Sequence, residues 1–135
     1  MNFLVLSFLI FCGISFGYAY GYGEISTSEF KIVNTLGDEI NSPVVEQQLN
    51  LQTSLRNISD QDMDWVYIVQ IIDKDDAIVD LSFSSGSLVA NQTLTTSLSW
   101  IPHSYGTYKI ETFVWNSLRD IDPLATKSTF TTTVT

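Results

Sequence analysis

The sequence predicts an all-β protein, a Greek-key β-sandwich of about seven antiparallel strands. Three observations carry this. Apolar and polar side chains alternate with a period of two along most of the chain after residue 23. The alternating runs are short, and turn residues separate them at the spacing that sandwiches use. No stretch beyond residue 23 shows the period of an amphipathic helix.

The first run, "SEFKIVN" (28–34), supplies Phe30 and Ile32 as inward side chains, or Val33 after a shift of one residue. "VEQQLNLQTSLRN" (45–57) sets Val45, Leu49, Leu51 and Leu55 on one face and Glu46, Gln48, Asn50, Gln52 and Arg56 on the other, the pattern of a half-buried strand. "WVYIVQII" (65–72) is apolar on both sides, with Tyr67, Val69 and Ile71 as its inward set. A strand of that kind belongs in the middle of a sheet. "DKDD" (73–76) breaks the run and "AIVDLSF" (77–83) resumes it, with Val79, Leu81 and Phe83 alternating, so the two runs form a hairpin. After "GSL" the chain turns again. Leu94, Thr96, Leu98 and Trp100 alternate against Thr95, Ser97 and Ser99 until Pro102 closes the strand. Tyr108, Ile110, Thr112 and Val114 form the next inner face. "STFTTTVT" (128–135) gives Phe130, Thr132 and Val134 as the last, and its β-branched threonines suit a strand.

One tyrosine stands where a turn becomes a strand. In "YGTYKIETFVW" (105–115), Gly106 permits a tight corner, and Tyr108 is placed to pack its ring inward and bond its hydroxyl back to the corner backbone. Around it, "LSWIP" (98–102), "YGTYKIETFVWNS" (105–117) and the "DPLA" link (122–125) into a Thr-rich final strand resemble small Ig-like or fibronectin-type-III-like modules of archaeal secreted and cell-surface proteins. "YIVQI" followed by an acidic hairpin turn fits the same pattern. The resemblance covers roughly residues 25 to 135. It implies surface architecture, adhesion or protein binding, with no catalytic residues to carry over. Such modules often sit inside long multidomain proteins, whereas here one module is expected to make up the mature chain.

Residues 1–23 hold no charged side chain, and "FLVLSFLIFCGISF" (3–16) is one apolar run followed by the small-residue pattern Gly17-Tyr18-Ala19. This is the layout of a secretory signal, with cleavage near Ala19. The run is shorter than the ~20 residues of a membrane span. The expected mature protein has 135 − 19 = 116 residues, enough for one domain. Residues 20–29 precede the sandwich as an extended segment, and the sandwich itself spans 24–135. The one cysteine, Cys12, lies in the apolar run, so a mature chain has neither disulfide nor cysteine metal site. Fifteen acids against six bases give a net charge of −9, which repels nucleic acid and anionic membranes. The triplets Asn57-Ile58-Ser59 and Asn91-Gln92-Thr93 are candidate glycosylation sites of an exported protein.

Candidates for chemistry are few. His103 is the only histidine, no serine sits in a nucleophile-elbow pattern, and zinc would lack ligands. The sequence is therefore read as that of a non-enzymatic chain without a cofactor or an evident small-molecule substrate. Asp73, Asp75, Asp76 and Asp80 are weak calcium candidates, since a turn uses aspartates for backbone reasons. Strict alternation from Tyr108 sends Phe113 and Trp115 to the opposite face, flanked by Lys109 and Glu111. They form an aromatic patch for a sugar, a partner subunit or a neighbouring module, unless loop 116–125 folds over them. The expected function is that of a secreted, cell-surface module binding or scaffolding other envelope proteins. The alternative is a subunit of a filament or lattice, binding itself by strand addition through residues 20–29.

Overall fold

The computed structural model describes residues 23–135. The expected signal segment, and with it residues 20–22 of the extended segment, lies outside the described residues. Seven strands run through the rest, β1 (Ile25–Val33), β2 (Leu49–Asn57), β3 (Met63–Ile72), β4 (Ile78–Leu88), β5 (Thr93–Trp100), β6 (Gly106–Trp115) and β7 (Ser128–Val134). They form a three-stranded sheet, β1-β2-β5, and a four-stranded sheet, β4-β3-β6-β7, with every pair antiparallel. This is the all-β sandwich that the alternation predicts. No helix among the described residues is long and apolar enough to cross a membrane.

The core lies between the sheets. β3 contributes Trp65, Tyr67, Val69 and Ile71, and β6 contributes Tyr108, Ile110 and Val114. β2 answers from the other sheet with Leu49, Leu51 and Leu55, all fully buried. Removing such side chains from water contributes about 1.5–3 kcal/mol each. Small residues on β4 make room for a large one on β3. Gly86 is the register partner of Trp65, and a Cβ at Gly86 would stand only 2.9 Å from the indole.

β1 begins at Ile25, earlier than the "SEFKIVN" run suggests. Ile25 to Ser28 pair with Asn57 to Ser54, and a bulge then interrupts the ladder between Ser28 and Lys31. Glu29 takes a left-handed φ of 46° at that bulge. Beyond it Ile32 pairs with Leu51 and Phe30 stacks on Phe130 of β7, ring centroids 4.1 Å apart. Ile25 to Ser28, taken as part of a free extended segment, are thus the first half of an intramolecular strand.

The corner is built as a lever and a latch. Gly106 has φ 145°, a conformation costly for any residue with a Cβ. Tyr108 is buried, packs edge-on against Trp100 at 5.2 Å, and donates its hydroxyl to the Ser104 carbonyl at 2.7 Å. Tyr108→Phe keeps the ring and deletes the bond, so it should lower stability by about 1 kcal/mol in urea unfolding.

Tyr67 is the converse case. It is fully buried and its hydroxyl finds no hydrogen-bond partner among the described residues, and burial pushes its phenol well above the ordinary tyrosine value. Below the ordinary value of about 10 both states hold the proton and stability is untouched by it. Above that pH the unfolded chain ionises while the folded chain does not, so stability is lost as pH rises. Tyr67→Phe should therefore flatten the alkaline fall in urea midpoint and leave the midpoint at neutral pH unchanged or raised.

Candidate binding surface

The outer face of the four-stranded sheet is built from the second apolar row of β3. Val66, Ile68 and Ile72 point away from the inter-sheet core, yet each is less than a tenth exposed, at 6%, 6% and 8%. Their cross-strand neighbours explain this. Phe83 of β4, Ile68 and Phe113 of β6 stand in register across three strands, and the next row is Ser85, Val66 and Trp115. Directly opposed side chains lie about 4.5–5.5 Å apart at Cβ, so large ones shield the central strand. Phe113 and Trp115 are half-buried and tilt against one another at 5.7 Å. Leu81 and Phe83, of the alternating set in "AIVDLSF", also face outward and are 60% and 57% exposed, while Val79 falls at the register shift and borders the cleft that holds Trp100. The result is an apolar surface centred on the row Phe83, Ile68 and Phe113, interrupted toward Ile72 by Gln70, which stands in register with Leu81 and Glu111.

Its polar rim is in place. Glu111 follows Phe113 on the same face and is buried between Lys109 at 3.5 Å and Lys127 at 3.2 Å. The other end is bordered by the loop after β6. There Asn116 accepts the N–H of Ser117 and of Asp122, and Leu124 donates its N–H back to Val114. This anchors Leu124 and Ala125 in the core while Leu118 stays half-exposed. Between that loop and β4 a groove of about 400 Å³ runs over Val66, with Asp64, Phe83, Ser85 and Leu118 along it. Ser87 donates to Asp64 beside it at 2.5 Å. Loop 116–125 therefore flanks Phe113 and Trp115.

The other candidates fall elsewhere. Asp73 Oδ1 accepts the N–H groups of Asp75 and Ala77, which makes it the keystone of the β3–β4 turn, and Asp76 takes a left-handed φ of 61° there. Asp80 lies on β4 in a cleft with Trp100 and Tyr108. Among the described residues no group of three His, Cys, Asp or Glu side chains gathers to hold a metal. His103 is exposed and pairs with Glu46 at 3.1 Å.

The two sequons differ sharply. Asn57 is completely buried. Its Nδ2 donates to the carbonyls of Gln61 and Leu88, and its Oδ1 accepts from the N–H and hydroxyl of Ser59. The expectation of a glycan there is corrected by this network, because the amide nitrogen is enclosed and its hydrogens are already bonded. Asn91 is exposed in the β4–β5 turn with φ 65°.

Sequence reasoning reached Phe113 and Trp115 but missed Leu81, Phe83 and the floor formed by Val66 and Ile68. The signal was present in "WVYIVQII". A strand apolar on both faces needs cover on both, and the cover has to come from its neighbours.

No protein-family model matches the sequence, and no curated protein matches it. Solved structures do. The C-terminal domain of Wzt aligns with a TM-score of 0.71 at 17% identity, covering 86% of this chain and 76% of that one. A CARDB domain from Pyrococcus furiosus, solved in complex with di-metal ions, gives 0.60 at 15% identity over 85% and 96% of the two chains. A Bacteroides uniformis β-glucuronidase gives 0.59 at 15% identity, with 81% of this chain matching 12% of the enzyme. At such identities the likeness is one of fold, and the first two matches are β-sandwich modules nearly coextensive with the described residues. The chain has the fold of an Ig-like β-sandwich.

Proposed function

We propose that this protein is a non-enzymatic module of the cell exterior that binds other envelope proteins through the outer face of its four-stranded sheet. The observation that carries the reading is the in-register row Phe83, Ile68 and Phe113 with Trp115 beside it, an apolar centre with a rim of Lys109, Glu111 and Lys127. Such a centre and rim are the anatomy of a protein interface. Phe83 shields Ile68 in the monomer, but Leu81, opposite Gln70, is left 60% exposed without such a role. The apolar leader of residues 3–16 and the exposed Asn91 support export and a surface setting. The placement of β4 beside β3, where a constant-type immunoglobulin domain would put its fourth strand in the other sheet, supports the fibronectin-type-III-like form of the module. An archaeal surface is the setting that the resemblance implies.

The filament reading has less support, because part of its proposed donor, residues 20–29, is engaged in β1. Ile25 to Ser28 are already hydrogen-bonded to β2, so strand addition through that segment would first have to unzip half of β1.

Phe113→Ala and Trp115→Ala, made singly, should each lower stability by about 2 kcal/mol, roughly half the loss for a fully buried aromatic, because Val66 and Ile68 become exposed. Each should also weaken binding to proteins recovered from envelope extracts by about 2 kcal/mol, measured where the variants remain folded. Undiminished recovery by both variants would reject the surface. Expression in an N-glycosylating host should place a glycan on Asn91 and none on Asn57, read by peptide mapping. A glycan mapped to Asn57 would contradict the buried network described above.

A further inference from the structure

β4 forms one margin of the same surface. It is the longest strand, with 11 residues, and it pairs on one side only, with β3. Among the described residues no strand lies opposite the backbone N–H and C=O groups of its other side. Proteins usually blunt such edges with charge, proline, bulges or short length. The other edges here show such devices or a solvated face. β1 is bulged where Glu29 and Lys31 pair, and β7 has seven residues, with Thr135 just beyond it tied to the backbone of Pro43 and Val45. β5 turns Thr95, Ser97 and Ser99 to solvent. β4 has no proline, one charge at Asp80, and a register shift only near its start, where Ile71 pairs with Asp80 and Ile72 with Ile78. Its large outward side chains beyond that shift are Leu81 and Phe83.

We propose that β4 pairs antiparallel with β4 of a second copy of this chain, about a two-fold axis, so that the two four-stranded sheets become one continuous sheet. This deepens the binding-surface reading, on which it rests, by naming a partner for its β4 margin.

Backbone geometry fixes how the copies meet. Along an antiparallel strand, alternate residues turn their N–H and C=O to the same side. The residues with free backbone groups on β4 therefore share one parity, and they pair only with residues of that parity. Outward side chains then oppose outward side chains, and the two apolar faces run on without a break. Overlap of residues 80–86, the regular part of β4 beyond its register shift, centres on residue 83. Phe83 meets Phe83 of the partner copy on the axis, Leu81 lies diagonally beside it, and Asp80 faces Gly86. No two carboxylates oppose one another. Such a contact uses the same patch twice and closes at two copies, so it yields a dimer and no filament. Each chain carries a formal −9, so association should strengthen as salt shortens the Debye length.

The test is sedimentation equilibrium of the whole chain, as its expressing cell processes it, at low and high salt. Twice the monomer mass is expected, with tighter association in high salt. Ser82, opposite Val69, faces inward at the open margin, and Ser82→Lys plants a charge across the approach of a second strand. It should raise the dimer dissociation constant by at least about tenfold while circular dichroism stays that of a β-sandwich. Opposed Cα atoms in such a ladder lie about 4.5–5.5 Å apart, within reach of a disulfide. Phe83→Cys should therefore cross-link into a dimer on air oxidation, seen on non-reducing gels. Ile78→Cys, at the end of the strand and far from its own copy across the axis, should not. A monomer in both salts, a dimer indifferent to Ser82→Lys, or no cross-link at position 83 beyond that of Ile78→Cys would each overturn the proposal. Any of these leaves the wider surface standing, since Phe113 and Trp115 lie two strands from the axis and are probed by their own variants.

Discussion

β3 is apolar on both of its faces, and the rest of the molecule answers that one constraint. A strand with Trp65, Tyr67, Val69 and Ile71 on one side and Val66, Ile68 and Ile72 on the other cannot lie at a margin. It needs a strand on each flank, which β4 and β6 provide, and a layer over each face. The inner layer is the leucine row of β2 from the facing sheet. The outer layer has no second sheet to draw on, so it is improvised from Phe83, Phe113 and Trp115 on the flanking strands. That improvisation is why large side chains stand partly in water. The apolar surface follows from the need to shield a two-faced strand, and among the described residues that outer layer is supplied only in part.

Much of this was legible from alternation alone. β2, β3 and β6 each read correctly because their inner rows keep one parity, broken only by the small Thr53 and Thr112, and Tyr108 was legible because a glycine stands two residues before it and a strand follows. β1 was harder. Its opening residues, "ISTS", hold one apolar side chain, and the bulge at Glu29 reverses the parity midway, so a period-two reading sees only the later half. The two candidate readings, Ile32 or Val33 inward, were the trace of that bulge.

β4 shows a different limit. Alternation gives a strand two faces but does not say which is inner. On β4 Ser82, Ser84 and Gly86 turn inward because Trp65 and Tyr67 on β3 already fill the space, and Leu81 and Phe83 are displaced outward. That assignment depends on volume contributed by a neighbouring strand, which no local pattern encodes. Asn57 failed for a related reason. Its sequon looks like any other in the sequence, and only the carbonyls of Gln61 and Leu88, the latter brought close by folding, reveal it as a bracket between β2 and the end of β4.

The three tryptophans sample three environments. Trp65 is sealed against Gly86, Trp100 sits in the core beside the ring of Tyr108, and Trp115 is half in water on the outer sheet face. The protein thus carries its own fluorophores, two whose emission registers the integrity of the interior and one that registers what lies against the surface. A quencher dissolved in the buffer reaches the third first, so occlusion of that face and loosening of the core leave separate optical signatures in the unlabelled molecule.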